Sequence, residues 1–538
     1  MSRYGMRRRK ALAVAVAGGL TSLGLPRSGR AASGVRILAS PEQLRPVYDY
    51  IIVGAGSAGC VLAYRLGRAG RRVLIIEAGG PANLPAVESP PQWPTLQGGP
   101  LDWGYTTTPQ PGLAGRVVRC PRGKAVGGSS AINALAYQRG HPAAYDKWPQ
   151  GWRHADLLPY FKRAETFSGG ASAWHGGSGP LHVLSLADVS DRTPIASAFI
   201  SAAQEYGFRM TADISGEVTT GVGWNQLSVK GHTRDYAANA YLDTLQDAQV
   251  DLLHGAEVRG LAIERDRCVG VRLAGRVVQP DGEVLLCAGA VDSPRLLMVS
   301  GIGPADELRS HGITITVDLP DVGRHLQDHI LLAGVAYGAR REVPRSHYNH
   351  ADSLLYVPHG NPGESPSHLV MCLSLPFVLP TVGPLPPPAY VLTPCLLRPQ
   401  SEGTVKLRSP NPLDSAVIDP NYLTESTDLE SLSESVSLTR EIGAAAAFAE
   451  WRVEEVYPGS GWANAADRHG FIRRAANSFH HPVGTCRMGD VVDEALRVKG
   501  VRNLRIIDAS VLPGLPAAMV NAAVTAVAEK ASDRVLAG

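Results

Sequence analysis

YDYIIVGAGSAGCVLAYRLGRAGRRVLIIE, residues 48–77, is the stretch on which the fold turns. Tyr50 to Val53 is a continuous apolar run of the kind found in parallel strands buried on both faces, and it stops at Gly54-Ala55-Gly56-Ser57-Ala58-Gly59. The spacing of Val61, Leu62, Leu66 and Ala69 predicts a helix over Cys60–Ala69 that ends at Gly70. Arg72 to Glu77 predicts a second buried strand, completing a β-α-β unit. In such a unit Gly54 permits the tight turn, Gly56 lets the backbone approach a pyrophosphate, and Gly59 lets the helix pack on the strand. The helix start, at Ser57 and Ala58, offers unpaired amides to phosphate. Glu77 closes the second strand, where its two oxygens can accept both ribose hydroxyl hydrogens. A carboxylate there repels a 2'-phosphate, which argues against NADP. The fingerprint predicts a bound dinucleotide and does not by itself separate NAD from FAD.

The chain has 538 residues, beyond the usual limit for one core, so two domains or one domain with a large insertion are expected. Hydrophobic residues at 44% and charged ones at 19% suit an ordinary folded protein, and 58 glycines with 40 prolines predict many turns and long irregular connections. A net charge of +3 with dispersed basic residues gives no footprint for nucleic acid, which leaves a small molecule as the expected partner. Seven scattered cysteines show no paired spacing, so neither a disulfide framework nor a metal site is indicated. Residues 1–32 stand apart: Arg3, Arg7, Arg8, Arg9 and Lys10 precede an apolar stretch from Ala11 to Leu25, followed by Ser28-Gly29-Arg30-Ala31-Ala32 as a cleavage region. The pattern predicts an export signal, loosely of the twin-arginine type, and hence a periplasmic location, with a disordered basic leader as the alternative. The stretch is short of the roughly 20 residues of a membrane-spanning helix, so no transmembrane anchor is expected.

Further along, residues 81–125 are rich in Pro, Gly and Trp and end in a second glycine-rich turn, Gly127-Gly128-Ser129-Ser130. Between 151 and 225 one helical pattern covers Ile195–Tyr206. Val250–Leu253, Val269–Leu273 and Glu283–Leu286 predict short strands, the last running into a helix at Ser293–Val299. Leu504–Asp508 predicts another strand and Asn521–Leu536 a helix with an apolar face. A sheet reassembled from distant segments follows, with 331–425 free to cover a substrate.

Five segments now carry a resemblance: GKAVGGSSAIN (123–133), GAVDSPRLLMVSGIG (289–303), DVGRHLQDH (321–329), DPNYL (419–423) and HPVGTCRMG (481–489). Together they resemble the glucose-methanol-choline oxidoreductases from about Tyr48 to the C-terminus, nearest in motif to the choline and alcohol dehydrogenase-like bacterial members. The resemblance implies an α/β fold: a Rossmann-like FAD domain assembled from discontinuous segments, beside an α+β substrate domain with an antiparallel sheet. The expected divisions are 46–330 for FAD, with a substrate-side insertion at about 151–225, then 331–480 mainly for substrate, and 481–538 returning to the FAD domain.

By motif, Ser129, Asn133, Ala134 and Ala136 would contact FAD around its pyrophosphate, ribityl or ring. Val258 would meet adenine through its main chain, Asp508 and Ala509 would lie near pyrophosphate and ribityl, and the Ala522 amide near the pyrimidine carbonyl. Some relatives attach FAD to a histidine at the position of Ile132, so the cofactor is expected to be non-covalent. Oxidising an alcohol by hydride transfer to flavin N5 needs a proton acceptor and a group that orients the substrate oxygen. Of 16 histidines, His481 stands in the motif position for the first task, with His480 the alternative if the register shifts by one. Asn521 would serve the second, although relatives read Gly-Asn-Thr-Asn-Ala-Pro where this chain has AMVNAA (518–523). The expected substrate is a small alcohol, aromatic or aliphatic, since 331–400 shows no acidic cluster for a quaternary ammonium. The expected electron acceptor is a quinone, a cytochrome or oxygen. Non-redox uses of the scaffold, as a hydroxynitrile lyase or a flavin-dependent fatty acid photodecarboxylase, are the alternatives, and Cys395 is the thiol to inspect for the latter.

Overall fold

A computed structural model describes residues 34–538 except 247–248, 359 and 361–362. Val35–Leu38 (β1), Tyr50–Val53 (β2), Val73–Glu77 (β3), Val250–His254 (β4), Glu283–Leu286 (β5) and Leu504–Ile506 (β6) form one sheet in the order β1-β4-β3-β2-β5-β6. Every neighbouring pair is parallel. Burial on both faces explains the unbroken apolar runs in β2 and β3. Ile51, Ile52, Leu74 and Ile75 are fully buried, each side chain contributing about 1.5–3 kcal/mol. β2 pairs with β3 on one side and β5 on the other, so strand order reverses at its C-terminal end, where Gly54 lies. That reversal opens the crevice in which sheets of this kind bind ligands.

Ser57–Arg68 (α1), Gly289–Val299 (α2) and Val520–Ala537 (α3) cover this sheet, with α1 and α3 in contact. The α2 helix begins four residues before the sequence-based boundary. Pro294 sits inside the helix, where it cannot donate to the carbonyl of Ala290. The Thr485 hydroxyl makes that bond instead, at 2.7 Å.

The second sheet is antiparallel. Its path runs Arg452–Tyr457, Val335–Ala339, Ala389–Leu396, His368–Leu373, Ser353–Val357 and Gly221–Trp224. The period-two alternation sends Leu355, Val370, Tyr390 and Leu392 into a core beneath the helices Pro194–Glu205 and Ser426–Ala444. Leu354, Leu369, Met371 and Leu373 point to the other face, into a separate apolar cluster. Ile330–Leu332 joins the end of Ala389–Leu396 and also pairs with Ala476–Ser478.

Three features depart from the sequence reading. The dinucleotide sheet starts at β1, ahead of residue 46, because four residues pair with β4 where no local signal marks them. The stretch 151–225 is divided: His154–Ala164 buries Leu157 and Phe161 in the core of the first sheet, whereas Ile195 and Phe199 belong to the second. The sequence pattern showed only the second of these helices; the first carries Pro159 in its interior. The last strand stops at Ile506, two residues short of Asp508.

Candidate active site

One cavity runs from the fingerprint turn to the antiparallel sheet. Gly54, Gly56, Ser57, Ala58, Glu77 and Val258 line one end, and Ser129, Asn133, Ala134, Ala136, Asp508, Ala509, His481 and Asn521 also reach its wall. Two expected residues do not. Gly59 lies behind the wall, where a Cβ would stand 2.0 Å from the Gly54 carbonyl oxygen, so its part is close helix-to-strand packing. Ala522 is fully buried between Val520, Asn521 and Val524, which do reach the wall.

The geometry at the fingerprint fits a dinucleotide. α1 starts at Gly56 with no side-chain cap, so its first amides are unpaired within the helix. The space a Gly56 Cβ would enter holds no protein atom within 4 Å, a gap of the sort a pyrophosphate fills. Gly128 shows the opposite constraint: it has φ +53, and a Cβ there would lie 2.7 Å from Gly56 Cα. The second glycine turn therefore stacks directly on the first. Glu77 accepts the amides of Ala55 and Gly79, each at 2.8 Å, which fixes its carboxyl while leaving lone pairs for ribose hydroxyls. Burial outweighs these donors and pushes its pKa up to about 7.

Other expected contacts are committed within the protein. The Asp508 carboxylate accepts the Gly289 amide at 2.8 Å and both the amide and hydroxyl of Ser510, at 2.8 and 2.6 Å, so it organises the entry to α2. Burial still raises its pKa. The Asn133 carbonyl oxygen accepts the Leu135 amide at 3.0 Å and Arg234 at 2.9 Å. Its amide nitrogen is the end left for a ligand. Arg234 was missed in the sequence; burial lowers it to about 9, and it braces the second turn through the carbonyls of Ser130 and Val87.

Backbone pairing builds the histidine centre. The Ile330–Ser478 pair and the mutual Gln327–Val483 bonds bracket a segment two residues longer on the histidine side than on its partner. The excess bulges out at Phe479–Pro482, with His480 held at φ +67. His481 reaches the cavity wall from this bulge, and Asp328 accepts its amide at 2.7 Å. Tyr422 and Ser478 donate to the other Asp328 oxygen. The His481 Nδ1 lies 3.0 Å from His329 Nδ1, while His329 Nε2 lies 3.1 Å from the Leu397 carbonyl.

These contacts determine the tautomers. A carbonyl only accepts, so His329 carries its hydrogen on Nε2 and, when neutral, has a bare Nδ1. His481 must then donate from Nδ1, and its Nε2 is bare. Burial keeps both rings neutral: His329 is pushed down to about 3, and His481 falls well below the usual range through burial and then its neighbours His329, Arg122 and His480. Nothing among the described residues bonds His481 Nε2.

His480 also touches the cavity but is held otherwise. Its amide donates to Ser478 at 2.8 Å, its carbonyl accepts from Arg122, and burial lowers its ring to about 3. Asn521 is anchored by its carbonyl oxygen, which accepts the Ser57 hydroxyl at 2.6 Å. The far wall is apolar: Leu331, Ala351, Met371, Leu373, Leu375, Phe377, Phe479 and Met519. Its carboxylates, Glu77, Glu257, Asp292 and Asp508, come with the dinucleotide segments. Cys395 is fully buried in its strand and outside the cavity wall. Sequence reasoning assigned no role to Asp328 or His329, although both lie in the quoted segment 321–329.

Known proteins match nearly the whole chain. Two models described as GMC oxidoreductase match residues 48–331 and 399–528. Pyridoxine 4-oxidase of Microbacterium luteolum is 37% identical over 504 residues, covering 90% of this chain and 98% of the relative. Human mitochondrial choline dehydrogenase is 37% identical over 551 residues, covering 93% and 92%. Among solved structures, pyridoxine 4-oxidase from Mesorbium loti superposes with a TM-score of 0.87 at 37% identity, covering 91% of this chain and 99% of its own. A fungal aryl-alcohol oxidase gives 0.80 at 25% identity, covering 92% and 99%.

Proposed function

The chain belongs to the GMC oxidoreductase family, and from that premise we propose that it oxidises a neutral aromatic or aliphatic alcohol, with His481 Nε2 taking the hydroxyl proton. It is an FAD-dependent oxidoreductase acting on CH–OH donors, like the relatives it matches. The observation that carries the proposal is the chain of contacts from Leu397 through His329 to His481, which presents a bare ring nitrogen to the cavity. FAD, when bound, supplies a two-electron acceptor for the hydride leaving the carbinol carbon. Asp328 and the bulge hold the His481 main chain, so the ring needs no rearrangement to accept the proton. Leu331, Met371, Leu373 and Phe377 exclude water from the reacting carbon.

Three finer features belong to the same proposal. FAD is held without a covalent bond, because Ile132 stands where some relatives carry a histidine; FAD released intact by acid precipitation supports this. Met1–Ala32 directs export, which is checked by sequencing the N-terminus of the protein from a periplasmic fraction. Among the described residues no helix is long and apolar enough to cross a membrane. Electrons leave to a quinone or cytochrome faster than to oxygen, a ratio read from flavin reoxidation with an artificial acceptor against air. The reaction itself is tested by anaerobic mixing with a panel of primary alcohols. Bleaching of the flavin with matching aldehyde is the expected result. Unbleached flavin with product formed by cleavage, or turnover that needs blue light and a fatty acid, overturns the proposal.

A further inference from the structure

We infer that Met519, rather than Asn521, is the side chain at the entry of α3 that meets the alcohol, and that Asn521 serves the dinucleotide. The inference rests on the alcohol-oxidising reading above. Met519 is the extended residue preceding the helix and Asn521 its second member, so the two side chains leave the chain in different directions. Their surroundings show where each goes. Asn521 is fastened to Ser57, the first residue of α1 and the neighbour of the open Gly56 cradle. That bond orients the Asn521 amide nitrogen, which donates to no described residue, from the phosphate side of the cavity. Met519 belongs to the apolar cluster of Leu331, Met371 and Leu373, against which Phe479 packs. The Phe479 ring lies 4.6 Å from that of His481, so this cluster is the wall beside the proton acceptor. Relatives with Gly-Asn-Thr-Asn-Ala-Pro have two asparagines here; this chain keeps the second and has Met519 at the first.

The chemical consequence is the loss of a polar handle at the entry of α3. A thioether donates no hydrogen bond, so of the Met519 and His481 side chains only His481 can hold the hydroxyl. Its flexible, polarisable side chain adapts to apolar carbon and favours the edge of an aromatic ring. The site therefore takes primary alcohols borne on aromatic or aliphatic carbon and discriminates against those that carry a charged or strongly hydrated group next to the carbinol.

Substitutions in the full-length holoenzyme separate the two residues. Met519→Ala is expected to raise the KM for benzyl alcohol about tenfold, the effect of a lost apolar pocket contact. Met519→Asn is expected to shift the ratio of kcat/KM for benzyl alcohol over choline towards choline. Asn521→Ala is expected to weaken FAD binding two- to tenfold, roughly one hydrogen bond, read from flavin fluorescence on titrating apoprotein. Ser57→Ala removes the same bond from the other side and should reproduce that loss, with the double variant losing no more than either single one. The inference is overturned if Asn521→Ala slows anaerobic flavin reduction more than Met519→Ala does while FAD affinity stays at the wild-type value, or if Met519→Ala leaves the KM as it was. Wild-type flavin that no alcohol bleaches is a failure of the alcohol reading; the FAD titrations then still decide the assignment of Asn521.

Discussion

At the dinucleotide end of the cavity the wall is largely main chain: Gly54, Gly56, Gly128 and the uncapped start of α1. At the other end it is side chains: Leu331, Met371, Leu373, Phe377, Met519 and His481, with His329 buried behind it. Backbone amides can be aimed at a ligand by residues adjacent in sequence, and most of that geometry is contained in one β-α-β unit. A neutral histidine beside an apolar wall has to be assembled from strands that meet only in the folded chain. The first kind of site constrains which residues lack side chains, and the second constrains which side chains are present. Damage to the two should therefore look different.

The largest effect is expected at His481. Replacement by alanine removes the proton acceptor and should slow anaerobic flavin reduction by about 10²–10⁴, with the protein still yellow. A colourless His481→Ala protein would break the contrast between the two ends. Gly128→Ala tests the converse, because the added carbon would meet Gly56 Cα at 2.7 Å. Overpacking of this kind costs about 1–3 kcal/mol, which should appear as weaker FAD binding in a fluorescence titration. Wild-type FAD affinity in that variant would mean that the two glycine turns are free to separate.

Acid should weaken the histidine end. His329 and His480 are held near pKa 3 when folded, against about 6.5 when unfolded. Between those values the unfolded chain binds protons that the folded one does not, so stability is full above about pH 6.5 and falls as pH drops towards 3. The slope is on the order of 1.4 kcal/mol per pH unit for each ring. Thermal melts of the wild type against His480→Asn should show a shallower acid loss in the variant; parallel curves would exclude His480 as a contributor. The smallest effect is expected at His329. With alanine there, His481 is no longer confined to one tautomer, and kcat should fall roughly two- to tenfold, the scale of one hydrogen bond, with an altered pH profile. Rescue of that profile by His329→Gln would sharpen the assignment, since a Gln side chain can both accept and donate.

How much could be read in advance follows the same division. The run from Tyr50 to Glu77 specifies its strands, turn and helix through contacts close in sequence, and the helix ends were displaced by only a few residues. The strand Val35–Leu38 left no local mark because its burial comes from β4, more than 200 positions away. Ser426–Ala444 was not recognised as a helix because Ser433, Ser435 and Thr439 interrupt the apolar pattern of its buried face, although Leu429, Leu432, Val436 and Ile442 keep a helical spacing. His481 was visible through its motif. His329 was not, because its partnership depends on Ile330–Leu332 pairing with Ala476–Ser478. Asn521 was legible as a polar residue at the start of a helix, whereas its attachment to Ser57 depends on the contact between α1 and α3.

The strand order β1-β4-β3-β2-β5-β6 has a consequence for how the protein is made. One of its edge strands, Leu504–Ile506, leaves the ribosome more than 400 residues after the fingerprint, and so do His481 and the whole of α3. At about 5–20 residues per second, a nascent chain holding the complete fingerprint waits tens of seconds before the remaining wall of its cofactor site exists. Once β5 has been made, its apolar edge stays uncovered until Leu504–Ile506 pairs with it. The cofactor site is therefore complete only after Leu504–Ile506 and α3 have been made, and the uncovered edge is the surface that needs shielding until then.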